Sequence, residues 1–186
     1  MMNKKSGNHG VSKAEWLAAA LKLLGKGSVS DIKINRLARE LGINKSGFYW
    51  HFKNRDELLE QLLAYWAHEL TEVVTSDLEF VKLEPRERLC RTAEMIIDYD
   101  LTRYEASIRQ WALTDDMAGQ TVKKVTKIRM NFVSQALAEL EFEGDDLEMR
   151  AMLFVCYHTW EKLMFSDITE NRRHQLVRKR VELVTS

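Results

Sequence analysis

The residues of this sequence with the clearest chemical potential lie between Lys45 and Arg55, where aromatic rings meet positive charge. The stretch KSGFYWHFKNR places a run of five ring-bearing side chains between basic residues. Lysine and arginine bind phosphate oxygens, and the polar tips of tyrosine and histidine hydrogen-bond to phosphates or to base edges. The combination indicates contact with a polyanion.

The spacing within this stretch divides the rings between two faces of a short helix. Phe48 and Phe52 are four residues apart and share one face, which can pack against preceding helices. Lys45 and Tyr49 share a different face, which is left free to meet DNA. Gly47 costs about 1 kcal/mol of helix propensity relative to alanine, which is tolerable where a backbone must approach closely. The alternative is that the rings only fill a small core, but a core accounts for the two phenylalanines and not for the flanking cations.

The elements that must position this stretch are helices. Apolar residues recur at helical spacing along the whole chain, which has one proline, so we predict an all-α fold. A capping box of Ser12 and Glu15 begins the first helix. A second helix ends at Gly42, and Asn44 is suited to cap a short third helix. Residues 33–52 are thus a predicted helix-turn-helix, whose second helix enters the major groove of DNA.

Charge is distributed unevenly, although the formal net charge is zero. Residues 1–55 contain eleven basic and three acidic residues, a balance of +8, and the remainder of the chain carries −8. This suggests a basic head that meets a polyanion and an acidic body that does not. Chance clustering on a solvated surface would give the same numbers.

Several classes of protein are disfavoured by composition. No apolar run reaches the roughly 18 residues of a membrane span, and the polar N-terminus lacks the apolar core of a secretory signal. Cys90 and Cys156 both lie in apolar periodic segments, so we expect reduced core cysteines and a cytoplasmic protein without a membrane partner.

Residues 34–59, INRLARELGINKSGFYWHFKNRDELL, resemble the N-terminal DNA-binding domain of the tetracycline-repressor (TetR-like) family of bacterial transcription regulators. The pattern is carried by Leu37-Ala38, Gly42-Ile43, Asn44, Tyr49-Trp50-His51-Phe52, Arg55 and Glu57-Leu58. The close match covers about residues 12 to 66, whereas the rest of the chain is compatible only in length and helix count.

The resemblance implies a role on DNA for each matching residue. Lys45, Ser46 and Gly47 would lie at or near base edges. Tyr49 and His51 would contact phosphates, as would Lys33, and Arg55 would hold a phosphate at the positive end of the fourth helix. The complete DNA-binding set is Lys33, Asn44, Lys45, Ser46, Gly47, Tyr49, Trp50, His51, Lys53 and Arg55.

Three positions depart from the commonest family pattern. Arg55 stands where lysine is usual, which keeps the charge and adds a bidentate fork. Lys33 stands where a small hydroxyl residue often caps the second helix, so the cap can fall to Asp31. Trp50 is large for an exposed position, and it either reads a thymine methyl group or packs beside the DNA backbone.

We expect three regions: a disordered arm (1–11), the helix-turn-helix domain (12–55) and an all-helical dimerisation and effector-binding domain (56–186). Useful specificity normally requires two heads on a twofold axis. Two long segments, about 121–142 and 145–166, would form a four-helix bundle with their symmetry mates, as the resemblance implies, or would pack only within the monomer. The predicted dimer contacts are Ile128, Phe132, Ala136, Leu140, Met152 and Val155.

An effector pocket in the body is a further implication of the resemblance. Its candidate residues combine bulk with a polar tip on apolar faces, and the alternative for each is an ordinary core position. They hint at a flat apolar or aromatic ligand. The candidates are Trp66, Met95, Tyr99, Tyr104, Trp111, Tyr157, His158 and Trp160.

We expect no cofactor, no metal and no enzymatic activity. The pairs His158/Glu161 and His68/Glu72 have helical spacing but lack a third ligand in sequence. No nucleophile–base pair or phosphate-binding glycine loop is recognisable. The leading hypothesis is a dimeric, sequence-specific transcription regulator, a repressor released from a palindromic operator by a small molecule. The alternatives are a dimeric DNA binder without an effector, and an all-α enzyme with a basic head.

Overall fold

The computed structural model describes residues 10–72, 75 and 78–186, and within these ranges the regular structure is helical with no strand. The prediction of an all-α fold is confirmed. The chain divides into two compact units, a head that extends to Tyr65 and a body from Trp66 to Ser186. The predicted arm falls mostly outside the described residues. The described part of the chain contains no helix of the length and apolar character needed to cross a bilayer.

The head begins with helix α1, Lys13–Leu24, at a reciprocal cap. The Glu15 carboxylate accepts a hydrogen bond from the Ser12 backbone N–H at 2.7 Å, and the Ser12 hydroxyl accepts one from the Glu15 N–H at 3.3 Å. The backbone hydrogen bond from Ser12 lowers the pKa of Glu15. This pairing satisfies two amides that no helical carbonyl can reach.

Two short elements and a longer helix complete the head. Helix α2 spans Ile34–Glu40, a 3₁₀ helix spans Lys45–Trp50, and helix α3 spans Arg55–Ala67. The third predicted helix is therefore a tighter 3₁₀ helix, and the fourth ends at Ala67 before a π-helical turn, His68–Glu72. The sequence pattern predicts that the fourth helix begins at Asn54 and runs through Val73 and Val74, but these last two residues lie outside the described residues.

The turn between α2 and the 3₁₀ helix depends on Gly42. Its φ angle is +67°, in the left-handed region that favours glycine. This conformation lets the Ile43 N–H return to the Ala38 carbonyl oxygen at 3.0 Å, which closes the end of α2. The position of the 3₁₀ helix relative to α2 therefore follows from a single backbone conformation.

The body contains helices α4 (Leu78–Val81), α5 (Pro85–Asp98), α6 (Glu105–Ala112), α7 (Asp116–Ala138), α8 (Gly144–Met164), α9 (Glu170–Gln175) and α10 (Val177–Thr185). The sequence pattern predicts one C-terminal helix at about 171–184, where the structure has two, α9 and α10. The main body core joins α5, α7, α8 and α10 through buried side chains that include Leu89, Phe132, Leu137, Phe154 and Val181. Cys90 is buried as expected, but Cys156 is exposed, which corrects its assignment to the core.

A buried carboxylate connects α8 to the last two helices. Glu161 receives Arg173 at 2.9 Å and is also bonded by Arg180 and by the Tyr157 hydroxyl, the latter at 3.0 Å. Burial alone would raise the pKa of Glu161, but the hydrogen bond and charge of Arg173 and the charge of Arg180 outweigh it, so the pKa is lowered. The carboxylate therefore remains ionised where it is enclosed.

Candidate nucleic-acid interface and body cavity

The Lys45–Trp50 helix is fixed to the head by two buried rings. Phe48 and Phe52 are buried, and their ring centroids lie 5.1 Å apart. The Trp16 ring of α1 meets the edge of Phe48 at 5.5 Å. Because all three rings are enclosed, this short element has a defined orientation despite having few hydrogen bonds of its own.

The opposite side of the same element is turned to solvent. Tyr49 is 58% exposed and Trp50 is 86% exposed. Asn44, Lys45 and Ser46 are exposed as well. A shallow concavity of the head is lined by Asn44, Ser46, Gly47, Trp50, His51, Ile43 and residues 10–12. The division of rings into an inward pair and an outward pair is as the spacing predicts.

His51 is bound to the protein through one ring nitrogen. Its Nε2 lies 2.8 Å from the carbonyl oxygen of Val11. A carbonyl can only accept, so Nε2 is the donor, and Nδ1 is left as the acceptor in the neutral ring. In this arrangement His51 fixes the chain that enters α1, and a phosphate contact by His51 would require protonation of Nδ1 or release of Val11.

Arg55 has a structural role that the sequence reasoning missed. Its Nε donates to the carbonyl oxygen of Ile32 at 2.7 Å, and its Nη2 donates to that of Val29 at 2.6 Å. These bonds connect the start of α3 to the turn before α2, so Nε and Nη2 of the fork predicted to clamp a phosphate are bonded to the protein. The carbonyl acceptors lie more than twenty residues away in sequence and leave no local signal.

The predicted caps are only partly formed. Neither Lys33 nor Asn44 makes a side-chain cap hydrogen bond within the described structure. Asp31 does not cap α2 either, because its carboxylate accepts from the Ser28 N–H at 3.0 Å and from Arg36 at 2.7 Å. The Ser28 hydrogen bond is the main cause that lowers the pKa of Asp31. The expected transfer of the cap to Asp31 is therefore corrected.

The body contains a small cavity with a volume of about 60 Å³. Its wall combines branched and aromatic apolar side chains with threonines and two nitrogen-bearing residues. The lining residues are Leu70, Thr71, Thr75, Thr92, Ile96, Leu101, Thr102, Arg129, Phe132, Val133, Phe154, Val155, His158 and Thr159. Such a wall suits a mainly apolar ligand.

Of the predicted effector residues, only His158 lines this cavity. Trp66 and Trp111 are buried away from it, and Tyr99 is 64% exposed. The remaining rings also have other contacts, such as the Tyr157 hydroxyl on Glu161. The other seven predicted residues lie outside the lining of this cavity, where small threonines leave the space.

Residues 17–62 match the family described as bacterial regulatory proteins, tetR family. Over 60 residues the chain is 37% identical to the HTH-type transcriptional regulator SrpR of Pseudomonas putida, and 35% identical to the uncharacterized HTH-type transcriptional regulator TtgW of the same species. Each match spans 32% of this chain, and the matched part is only 28% of SrpR and 45% of TtgW. Both matches therefore concern a domain and not a whole protein.

The fold is similar to solved regulators over almost the whole chain. A transcriptional regulator from Rhodococcus sp. Rha1 matches with a TM-score of 0.74 at 15% identity, covering 94% of this chain and 96% of that one. FadR from Bacillus subtilis in complex with stearoyl-CoA matches at 0.70, with 16% identity and coverage of 94% and 98%. AibR in complex with isovaleryl coenzyme A and operator DNA matches at 0.66, with 17% identity and coverage of 92% and 96%.

The head of this chain resembles regulators of the TetR family. The resemblance predicted from residues 34–59 is confirmed by the family match in the head. The solved regulators are less than one fifth identical to this chain, and their likeness shows that the body shares their fold.

In the body, the predicted dimer contacts divide into enclosed and accessible residues. Phe132 and Ala136 are buried in the core of the single chain, so they offer little surface to a second copy. Ile128, Leu140 and Val155 are half-buried, and Met152 is exposed. An apolar stripe does lie open along α8, made of Met149, Met152, Leu153, Leu163 and Met164.

A three-residue cluster near the C-terminal helices was also missed. Asp98, Glu170 and His174 each offer one potential ligand atom, and these atoms lie within 4.8 Å of one another. His174 Nε2 lies 3.0 Å from Asp98 Oδ1, and both carboxylate residues are exposed. The cluster joins α5 to α9 across more than 70 residues of sequence, so spacing alone could not reveal it.

Proposed function

We propose that this TetR-like chain is a dimeric, sequence-specific DNA-binding transcription regulator of the cytoplasm, a repressor that a small ligand releases from its operator. The observation that carries the proposal is the Lys45–Trp50 helix, which is anchored by buried Phe48 and Phe52 and presents Tyr49 and Trp50 to solvent. This is the geometry by which a helix-turn-helix presents side chains to the major groove.

The proposed contacts follow the exposed surface of the head. Lys45, Ser46 and Gly47 would approach base edges, with Trp50 beside them. Tyr49 would bind phosphate, supported by Lys33, Asn44 and Lys53, which are all exposed. His51 and Arg55 would act mainly by holding the surrounding turns in place, because their ring nitrogen and guanidinium are bonded to the backbone.

Gly47 leaves room for close approach without being required by the protein's own packing. A Cβ atom added there would lie 3.5 Å from Ile43 Cδ1, an ordinary contact. The position therefore tolerates alanine in the free protein, and a closely approaching DNA backbone is the neighbour that would oppose it.

The dimer would form through the exposed stripe of α8. Met152, Leu153 and Leu163 recur at helical spacing on this face and are exposed in the single chain. Contiguous apolar surface of this kind marks an interaction site. Pairing with the same stripe of a second copy would place two heads on a twofold axis.

Ligand control is supported by the cavity and by the relatives. FadR and AibR are described in complex with acyl-coenzyme A molecules, and AibR with operator DNA as well. The cavity of this chain offers a mainly apolar wall for an effector. An effector-free DNA binder is disfavoured by that cavity, and an enzyme is disfavoured by the family match to transcription regulators.

Selection of bound sites from random duplexes tests the proposal directly. We expect enrichment of an inverted repeat whose half-sites lie about one or more helical turns apart, since each head reads one half-site. Binding to the selected site should weaken steeply with salt, because lysine contacts release counterions from the phosphates. Failure to enrich any sequence at low salt would contradict the proposal.

A further inference from the structure

The cavity wall includes one polar atom that the protein leaves without a partner. His158 is 3% exposed and lines the cavity. Its Nδ1 lies 2.8 Å from the carbonyl oxygen of Phe154. Because that carbonyl can only accept, Nδ1 carries the proton and Nε2 is an acceptor. Among the described residues, Nε2 of His158 has no hydrogen-bond partner.

The ring of His158 is held in one orientation. It packs on Phe154 with centroids 4.1 Å apart, and Tyr157 meets it edge-on at 5.3 Å. Burial, which is the largest effect, lowers the pKa of His158 to about 4, and the charge of Arg180 acts in the same direction. The ring is therefore neutral near pH 7, and Nε2 keeps its lone pair.

Other polar side chains of the cavity lining already hydrogen-bond within the protein, so they have few donors left to hold an anion. Arg129 is the one charged residue among the described lining, and its Nη1 donates to Glu105 at 3.0 Å. Its Nε donates to the Thr71 hydroxyl at 3.1 Å. The Thr92 hydroxyl donates to the Arg88 carbonyl oxygen at 2.8 Å. A carboxylate ligand would have to compete with Glu105 for Arg129.

We propose that this cavity binds a small, uncharged, mainly apolar molecule whose hydroxyl or N–H group donates a hydrogen bond to Nε2 of His158. The inference rests on the proposed function, because that molecule would be the effector. A buried acceptor without a donor carries a desolvation cost that such a ligand removes. The volume of about 60 Å³ is well below the roughly 150 Å³ of a cavity that admits benzene, so the ligand is a molecule of only a few heavy atoms.

Three small probes of similar size separate the chemistries. 1-Butanol carries a donor, methyl propyl ether is its isomer without one, and butyrate is anionic. Each is titrated into the ¹⁵N-labelled protein without DNA while the Nε2 resonance of His158 is followed. We expect butanol to bind about fivefold more tightly than the ether, the usual net effect of one hydrogen bond. Butanol alone should shift Nε2 in the direction of a hydrogen-bonded nitrogen.

The remaining outcomes contradict the inference. If the ether binds as tightly as butanol, Nε2 takes no part in binding. If butyrate binds more tightly than butanol, the cavity is a site for anions at Arg129. Absence of binding by all three would mean that the cavity is only a packing defect. Since these titrations use the free protein, none of them depends on DNA binding, which is measured separately and without probe.

A variant pair locates the effect. His158→Phe retains the ring but removes the acceptor, so it should abolish the preference for butanol over the ether. His174→Phe makes the same chemical change outside the cavity lining and should leave the preference unchanged. If His158→Phe retained the full preference, the hydrogen bond would be assigned to the wrong atom. The wild-type comparison of butanol with the ether decides the matter even if that variant does not fold.

Discussion

At the scale of single residues, several polar side chains of this protein bind its own backbone where the sequence suggests a ligand. Arg55 is the clearest case, because it lies in the family's phosphate-binding pattern and yet donates to the carbonyl oxygens of Ile32 and Val29. A charged fork that donates to these two carbonyls stabilises the turn that contains them.

Arg55→Met should therefore lower the free energy of unfolding of the head by about 2 kcal/mol, because hydrogen bonds from a charged donor are lost. Urea unfolding followed by tryptophan fluorescence measures this change. Lys53→Met, which removes an exposed cation two residues earlier, is the matched control and should change stability little. Equal stability of both variants would show that the bonds of Arg55 have no net effect.

His158 predicts a specific dependence of stability on pH. Its pKa in the folded body is lowered from 6.5 to about 4, chiefly by burial. Between pH 6.5 and pH 4, the unfolded chain therefore binds a proton at His158 that the folded chain does not bind. The contribution of neutral His158 to the free energy of unfolding is fully present above pH 6.5 and declines as the pH falls toward 4. At about 1.4 kcal/mol per pKa unit, the loss is on the order of 3 kcal/mol.

Unfolding free energies measured between pH 7 and pH 4 test this dependence. His158→Phe should flatten the curve in that window. Glu161 contributes only at the acid end of this window, because the stability from its lowered pKa is lost as the pH falls through the ordinary carboxyl value of 4.5 and below. A wild-type curve without a slope in this range would contradict the buried neutral imidazole.

At the scale of elements, the helix-turn-helix depends on one left-handed residue. Gly42→Ala should destabilise the head by about 1–2 kcal/mol, because its φ of +67° is strained for any residue with a Cβ atom. Gly47→Ala is the control, since a Cβ there meets only an ordinary contact. Thermal unfolding compares the two, and equal melting temperatures would show that the turn relaxes without strain.

Local pattern was sufficient for the elements of the head but not for the site of the body. The Ser12–Glu15 cap and the inward pair Phe48 and Phe52 follow from spacings of three and four residues, so the sequence predicts them. The cavity wall joins residues from Leu70 to Thr159, and threonines in helices give no periodic signal. Enclosure of large rings such as Trp111 likewise depends on tertiary packing, which no local pattern encodes.

For the whole molecule, the proposed function requires a second copy of the chain. Leu153→Glu places a charge in the middle of the exposed α8 stripe and should convert the proposed dimer to a monomer, because the charge would be desolvated at the interface. Analytical ultracentrifugation measures the mass. Leu183→Glu alters an equally exposed leucine on α10 and should leave the mass unchanged.

If Leu153→Glu has the mass of the wild type, the stripe is not the interface. A monomeric variant that still folds should also bind a single half-site far more weakly than the dimer binds its full site, since linked heads act as one ligand of high effective concentration. Such a result would show that pairing of the bodies through the α8 stripe raises the affinity of the heads for DNA.

The proposed function places the solvent side of the Lys45–Trp50 helix on a DNA duplex. The most direct measurement is fluorescence anisotropy on the selected duplex with Lys45→Ala and Tyr49→Ala, each compared with Tyr99→Ala, an equally exposed tyrosine of the body. We predict that each head variant loses at least about tenfold in affinity, which corresponds to about 1.4 kcal/mol, and that Tyr99→Ala binds as the wild type does. Unchanged affinity in both head variants would show that this helix does not bind the duplex.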